Sequence, residues 1–461
     1  MIERFDVADF DLVILGGGSG GYACALRAAQ LGLKVALIEK EKLGGTCLHR
    51  GCIPTKALLH AGEIADGARH SAEFGVKAEF HSMDMVAVNA YKDGVISKLH
   101  KGLQGLVKSR NITYVEGEGK LVSATTVAVG SESYSGKNVV LATGSYAKSL
   151  PGLDIDGKQI ITSDQAIHMG YVPKSVIVLG GGVIGCEFAS VWKSFGSEVR
   201  IIEALPHLVA LEDESSSKTL ERAFRKRGIN FELGVKFKSV NQSASGVEVL
   251  LEDGKSFAAD LLLVAVGRGP VSAGLGYEDV GVKMDRGYVL VDNKCRTNIK
   301  GVWAVGDLIP TLQLAHVGFA EGILVAEEIA GLNPRPIDYD GVPRVTYSEP
   351  EVASVGLTSA EAKKRGIEVK ELNYDLAGNG KAQILKTAGA IKLVADSSRT
   401  VIGIHMVGSR VGELLAEAQL IFNWQADAND VGQHLHAHPT LSEAMGEAHM
   451  ALAGKPLHAH G

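Results

Sequence analysis

Long apolar runs are missing from this chain of 461 residues: glycines or charges interrupt every one well before the ~18 residues that a membrane span needs. Clusters of five or more lysines and arginines are missing as well, and the net charge is -6, which disfavours nucleic acid and anionic membranes as partners. The opening stretch MIERFDVADF has no cationic segment followed by an apolar one, so a cytoplasmic protein is expected. Cysteine is scarce, with 5 in all, and a reducing cytosol rarely keeps structural disulfides. A close pair in such a chain points to catalysis or metal binding. Glycine, by contrast, is plentiful at 56 residues, and it gathers in turns after apolar runs and not in a low-complexity linker.

Those turns expose an internal repeat. DLVILGGGSGGYACALRAAQLGLKVALIEK (Asp11 to Lys40) and SVIVLGGGVIGCEFASVWKSFGSEVRIIEA (Ser175 to Ala204) each read as strand, glycine turn, helix, strand. Gly16, Gly18 and Gly21 fit GxGxxG in the first, and Gly180, Gly182 and Gly185 fit it in the second. Glycine there permits a tight turn and lets backbone N–H groups and a helix N-terminus approach a pyrophosphate without a Cβ in the way. Glu39 and Glu203 stand at the same offset, 23 residues after Gly16 and Gly180, where a carboxylate can accept from ribose hydroxyls. Two dinucleotides are therefore expected. A carboxylate at Glu203 would repel a 2′-phosphate, which favours NAD over NADP; Arg200, on the opposite strand face by alternation, reads as a solvated residue.

The close pair is Cys47 and Cys52, in GGTCLHRGCIPTKALLH. A regular helix would raise the second about 7.5 Å above the first and rotate it ~140° away, beyond the ~6.8 Å Cα limit of a disulfide, so a bridge needs a distorted turn. Gly51 offers backbone freedom, and Pro54 suits the first turn of a helix that would place Cys52 near its N-terminus, where the dipole favours a thiolate. By themselves these residues leave redox chemistry and metal binding both open, with His49 and His60 close by. Cys24, Cys186 and Cys295 read as small packing residues.

With these motifs in view, the chain resembles the flavin-dependent pyridine nucleotide-disulfide oxidoreductases over almost its whole length. GGTCLHRGCIPTK is similar to that family's redox-disulfide segment, LATGS and VAVGRGP to its domain-crossing turns, VWAVGDL to its flavin-contacting segment and HAHPTLSEA to its C-terminal signature. The resemblance implies FAD on the first dinucleotide unit and NAD on the second. It implies contacts to FAD from Thr46, Thr143 and Gly144 and from Asp307 to the ribityl chain; Gly267 is a further cofactor-binding candidate. It also implies that Lys56 lies by the flavin and pairs with Glu187, and that Cys47 and Cys52 form the redox disulfide with Cys47 as interchange thiol. His438, oriented by Glu443, would be the base, which suits a side chain that titrates near neutral pH.

Within the family the chain fits the branch that oxidises dihydrolipoamide with NAD and serves 2-oxo acid dehydrogenase complexes through their lipoyl domains. The end of the chain, GKPLHAHG, lacks the extra cysteine pairs of mercuric ion reductases and large thioredoxin reductases. A glutathione or mycothione reductase is the alternative, a binding role inside a large assembly a second, and a quinone or dye reductase that does without the disulfide a third. One departure stands out: the common redox segment has asparagine where this chain has His49, followed here by Arg50. His434, His436 and His438 alternate and could line a strand, but no metal site is expected; His434, His436, His458 and His460 read as exposed.

The expected fold is α/β, with two Rossmann-like dinucleotide-binding domains and a C-terminal α+β dimerisation domain of a homodimer. Residues 1–149 begin the FAD domain, 150–269 form the NAD domain, 270–342 complete the FAD domain and 343–461 form the interface domain. A helical stripe of Ile96, Leu99, Leu103 and Leu106 is expected to pack in the core.

Overall fold

The computed structural model describes residues 9–458, so His460 and the chain start that bears on a targeting leader lie outside the described residues. The chain forms two compact units: one of residues up to Ala57 with Val86–Lys148 and Gly267–Tyr339, the other of Leu58–Met85, Ser149–Val266 and the remainder from Asp340. The second dinucleotide fold and the C-terminal sheet therefore share one unit.

In the first unit, four parallel strands run in the order Thr113–Glu116, Val35–Glu39, Phe10–Leu15 and Glu132–Leu141, and Val302–Ala304 returns to pair in parallel with Glu132–Leu141. The run Leu12–Leu15 is buried because a parallel sheet is covered on both faces. The returning strand brings VWAVGDL to the same sheet end as the glycine turn: Val305 N–H donates to the Leu141 carbonyl at 3.0 Å. Helices Ser19–Gln30 and Ala315–Ile329 approach so closely that a Cβ on Gly322 would stand 2.2 Å from the Gly20 carbonyl oxygen.

Helix Met85–Ser109 corrects the expected stripe. Leu103 and Val107 enter the core with Ile96 half-buried against it, but Leu99 and Leu106 are 45% and 46% exposed. At about 100° per residue, Leu99 and Leu106 sit some 60–80° off the axis through Ile96, Leu103 and Val107, so spacing by three and four selected the flank of the packed face.

In the second unit, five parallel strands run in the order Ile229–Leu233, Glu198–Glu203, Ser175–Leu179, Leu261–Val264 and Ile160–Ile161. A three-stranded antiparallel sheet, Phe237–Ser243, Gly246–Leu251 and Ser256–Ala259, adjoins them. The C-terminal part is a five-stranded antiparallel sheet of Arg344–Thr346, Glu351–Gly356, Val401–Gly408, Ala390–Asp396 and Val369–Asp375. Residues of helices Val411–Asn423 and Glu443–Leu452 share its apolar core. Among the described residues no helix is long and apolar enough to cross a membrane.

Candidate active site

The two glycine turns are near copies. Gly16 and Gly180 have φ of 109° and 110°, where a side chain would meet Ala142 or Ala265 carbonyl oxygens at 2.2 and 2.3 Å. A Cβ on Gly21 or Gly185 would stand 1.8 or 1.9 Å from the carbonyl of Gly16 or Gly180, so these glycines press the helix onto the turn. The middle glycines differ in kind: around Gly182 nothing lies within 4 Å, and around Gly18 only the Gly45 Cα, at 4.0 Å. Both have ordinary extended backbone and cap helices with no side-chain cap. Open space in front of uncapped helix N–H groups is what a pyrophosphate needs, so both turns fit a dinucleotide.

The acids closing each motif have a task within the fold. Glu39 accepts from the N–H groups of Gly17 at 2.7 Å and Glu41 at 2.8 Å; Glu203 accepts from those of Gly181 at 2.5 Å and Leu205 at 2.7 Å. A carboxylate offers about four lone-pair sites, so capacity for ribose hydroxyls remains. Arg200 is not simply solvated: it pairs with Glu232 at 2.7 Å and stacks on Phe257, which removes it from the cofactor side.

The cysteine segment lies directly on the first turn. Gly44 N–H donates to the Gly17 carbonyl at 2.9 Å, and a Cβ on Gly45 would stand 2.7 Å from Gly18 Cα. Gly44 and Gly45 are left-handed, with φ of 108° and 58°, and lead into the short helix Gly45–His49 that carries Thr46 and Cys47. Arg50, at φ -136°, breaks that helix, and Cys52 opens the helix Cys52–His70. The distorted turn that the spacing requires is thus a break between two helices. Gly51 serves by its small size and not by an unusual φ, since its Cβ would lie 3.1 Å from the Thr46 carbonyl oxygen. Both cysteines are free thiols in this structure. The hydrogen bond with Cys52 pushes the Cys47 thiol well above its ordinary range, burial adds to this, and the nearby Lys56 charge opposes it. Tyr22 is pushed up to about 12, first by burial and then by the two cysteines.

Asp307 lies in the turn Gly306–Leu308, half-buried; it accepts from the Ser145 hydroxyl at 2.5 Å, which in turn accepts from Arg268 Nε at 2.7 Å. Gly144 and Gly267, at φ 75° and 109°, flank the paired strands Ser145–Ala147 and Arg268–Pro270, where the chain leaves this unit and re-enters it. The Thr143 hydroxyl donates to the Val271 carbonyl at 2.6 Å and lies 3.1 Å from the Tyr277 hydroxyl.

Glu321 escaped the sequence reading. Fully buried, it accepts from Gly306 N–H at 2.6 Å, Thr311 at 2.8 Å and Tyr339 at 2.9 Å, and so fixes the turn before Asp307. Its signal was a carboxylate set amid the apolar run of the helix AHVGFAEGILVAEEI, which needs buried donors to be tolerated.

In the second unit, His438 Nδ1 stands 2.7 Å from Glu443 Oε1, and Glu443 Oε2 accepts the Thr440 N–H at 2.7 Å. That backbone bond, more than His438, holds the Glu443 carboxyl below its usual range. An ionised carboxylate only accepts, so Nδ1 carries the proton and Nε2 is left with a lone pair. The His438 side chain is 78% exposed, and its free nitrogen is available as a base. His434, His436 and His438 share no strand: His436 is half-buried and pairs with Glu417 at 2.8 Å, contrary to its exposed reading, and His458 pairs with Glu447 at 2.9 Å. Among the described residues no group of three His, Cys, Asp or Glu could hold a metal. Glu187 is buried in the same unit and accepts the Tyr347 N–H at 3.0 Å.

Comparison with known families adds the context for this arrangement. Residues 10–322 match the pyridine nucleotide-disulphide oxidoreductase family, and residues 342–449 match the dimerisation domain of that family. The chain is 42% identical to a dihydrolipoyl dehydrogenase of Bacillus subtilis, covering 98% of this chain and 99% of that protein. It is 42% identical to mitochondrial dihydrolipoyl dehydrogenase 1 of Arabidopsis thaliana, covering 97% and 91%. Among solved structures, LpdA of Mycobacterium tuberculosis superposes with a TM-score of 0.89 at 26% identity, covering 96% of this chain and 99% of that one. The chain belongs to the pyridine nucleotide-disulphide oxidoreductase family.

Proposed function

We propose that this member of the family is a dihydrolipoyl dehydrogenase, oxidising dihydrolipoamide to lipoamide with reduction of NAD. The observation that carries the reading is the docking of the Cys47–Cys52 segment on the Gly16–Gly21 turn, which sets a dithiol beside a dinucleotide cradle. The names of the relatives, at 38–42% identity, support the substrate.

In this reading the oxidised enzyme carries a Cys47–Cys52 disulfide. His438 Nε2 takes a proton from the dithiol substrate; the resulting thiolate attacks Cys47 and displaces the Cys52 thiolate. The second substrate thiol then attacks its own mixed-disulfide sulfur, which releases lipoamide and leaves Cys47 and Cys52 reduced. Glu443 holds the imidazole tautomer and stabilises the imidazolium. Bound FAD and NAD supply the onward transfer of two electrons from the dithiol to the nicotinamide. For FAD, the first glycine turn would receive the pyrophosphate, with Glu39, Thr46, Gly144, Asp307 and Lys56 as further contacts; for NAD, the second turn and Glu203 would serve. Glu187 and Gly267 complete the proposed site. The protein would work as a cytoplasmic homodimer and meet lipoyl domains of 2-oxo acid dehydrogenase complexes.

The test is Cys47→Ser in the flavin-loaded protein. Loss of lipoamide-dependent NADH oxidation with flavin still bound is expected, whereas retained turnover would exclude the disulfide mechanism.

A further inference from the structure

The proposed chemistry leaves one cluster beside Cys47 unused. The carbonyl oxygen of Leu43, a buried residue, faces two imidazoles at once: His49 Nε2 at 3.0 Å and His100 Nδ1 at 2.9 Å. The rings meet edge to face with centroids 4.9 Å apart. The backbone of Leu43 is also hydrogen-bonded with the phenol of Tyr114, on the strand Thr113–Glu116. Gly44 and Gly45 follow directly, and after them the helix that carries Cys47 and ends on His49 itself. One peptide is thus gripped from the long helix Met85–Ser109, from the sheet and from the far end of the redox helix.

We propose that His49 and His100 are positioning residues for Cys47: by donating jointly to the Leu43 carbonyl, they fix the two-glycine turn and so the direction of the redox helix. This rests on reading Cys47 and Cys52 as the redox pair. Two successive glycines have little conformational preference of their own, so the shape of this turn is imposed by what holds its ends. Gly17 and Lys42 carbonyls hold the glycine N–H groups, and the two histidines hold the residue before them. A carbonyl only accepts, so His49 carries its proton on Nε2 and His100 on Nδ1, and neutral rings suffice.

Charged groups surround the cluster. Lys42 and Arg50 flank His49, Arg50 pairs with Glu41 at 2.7 Å, and Glu116 and Glu39 act on Tyr114. Burial holds His49 below the ordinary histidine range against the bond to the Leu43 carbonyl, which acts upward, and His100, Lys42 and Arg50 add to the lowering. Protonation of either ring leaves the N–H that donates to Leu43 in place, so the clamp itself does not depend on the charge of the imidazoles.

The test compares H49Q/H100N, whose amide nitrogens take the places of Nε2 and Nδ1 but do not titrate, with H49A/H100A, which removes both donors. The readout is the rate at which iodoacetamide alkylates Cys47 in the reduced, flavin-loaded protein, followed by mass spectrometry from about pH 5 to about pH 8. H49A/H100A should react about tenfold more slowly or worse throughout, as a displaced reactive group does. H49Q/H100N should match the wild type throughout, because an amide N–H serves the carbonyl as an imidazole N–H does. An alanine variant as fast as the wild type, or an amide variant as slow as the alanine one, would each overturn the proposal. No substrate enters this assay, so its failure is distinct from failure of the dihydrolipoamide reading, which Cys47→Ser turnover tests.

Discussion

At Glu351 a single carboxyl couples the C-terminal sheet to pH. It accepts the Gly412 N–H at 2.8 Å, yet burial, ahead of the charges of Glu349, Glu413 and Glu63, pushes it up to about 7. A carboxyl whose folded value is raised favours the folded state below its unfolded value, and that contribution is lost as pH rises through the folded one. Melting temperature should therefore decline between about pH 4.5 and about pH 7 through this residue, and Glu351→Gln should flatten that part of the curve. Calorimetry of both proteins across the window checks this; parallel curves would contradict it. At this scale contacts were legible wherever the partners are close in sequence. Cys47 with Cys52, and His438 with Glu443, each lie five residues apart, and each pair is hydrogen-bonded. Glu321 and the His49–His100 contact were not legible, because Glu321 serves Gly306 from 15 residues away, and His100 reaches Leu43 across 57. Arg200 and His436 were read as solvated since no pattern marks Glu232 or Glu417 as their partners.

Elements show the same division between what repeats and what packs. The strand–turn–helix units were legible because the glycines recur at the same spacing after an apolar strand, but GxGxxG does not say which glycine is needed for packing and which leaves space for a ligand. The structure separates them and yields a paired prediction. Gly322→Ala would drive a Cβ to 2.2 Å from the Gly20 carbonyl and 2.9 Å from Cys24 N, and should cost about 1–3 kcal/mol in urea unfolding. Gly182→Ala meets nothing within 4 Å and has an allowed backbone, so stability should be unchanged while NADH affinity falls at least about tenfold in a fluorescence titration. Equal NADH binding by the two proteins would remove the second turn from the proposed site. Helix Met85–Ser109 marks the limit of periodicity: Leu99 and Leu106 keep the right spacing but lie beside the buried line of Leu103 and Val107. Only the neighbouring elements determine which line is buried.

For the whole molecule, the match to a dimerisation domain at residues 342–449 and the exposed His438 bear on how a complete site is assembled. If the base is supplied across a homodimer, Cys47→Ser and His438→Gln should each be inactive alone and complement when co-expressed. Random pairing leaves one intact site in half of the dimers, so about a quarter of wild-type activity should return. Activity at the level of either single variant would place base and disulfide in one subunit. The α+β character of the C-terminal part was legible from its strand and helix patterns, whereas the grouping of Leu58–Met85 with the second unit was not, because one continuous helix, Cys52–His70, runs through that boundary. The carboxylate latches of Glu39 and Glu203 carry a last consequence. Each carboxylate ties its glycine turn, through the Gly17 or Gly181 N–H, to the end of the strand and, through the Glu41 or Leu205 N–H, to the segment that follows. Loss of either carboxylate would therefore loosen a turn as well as remove a ribose partner, and ordering entropy would be added to the binding of that dinucleotide.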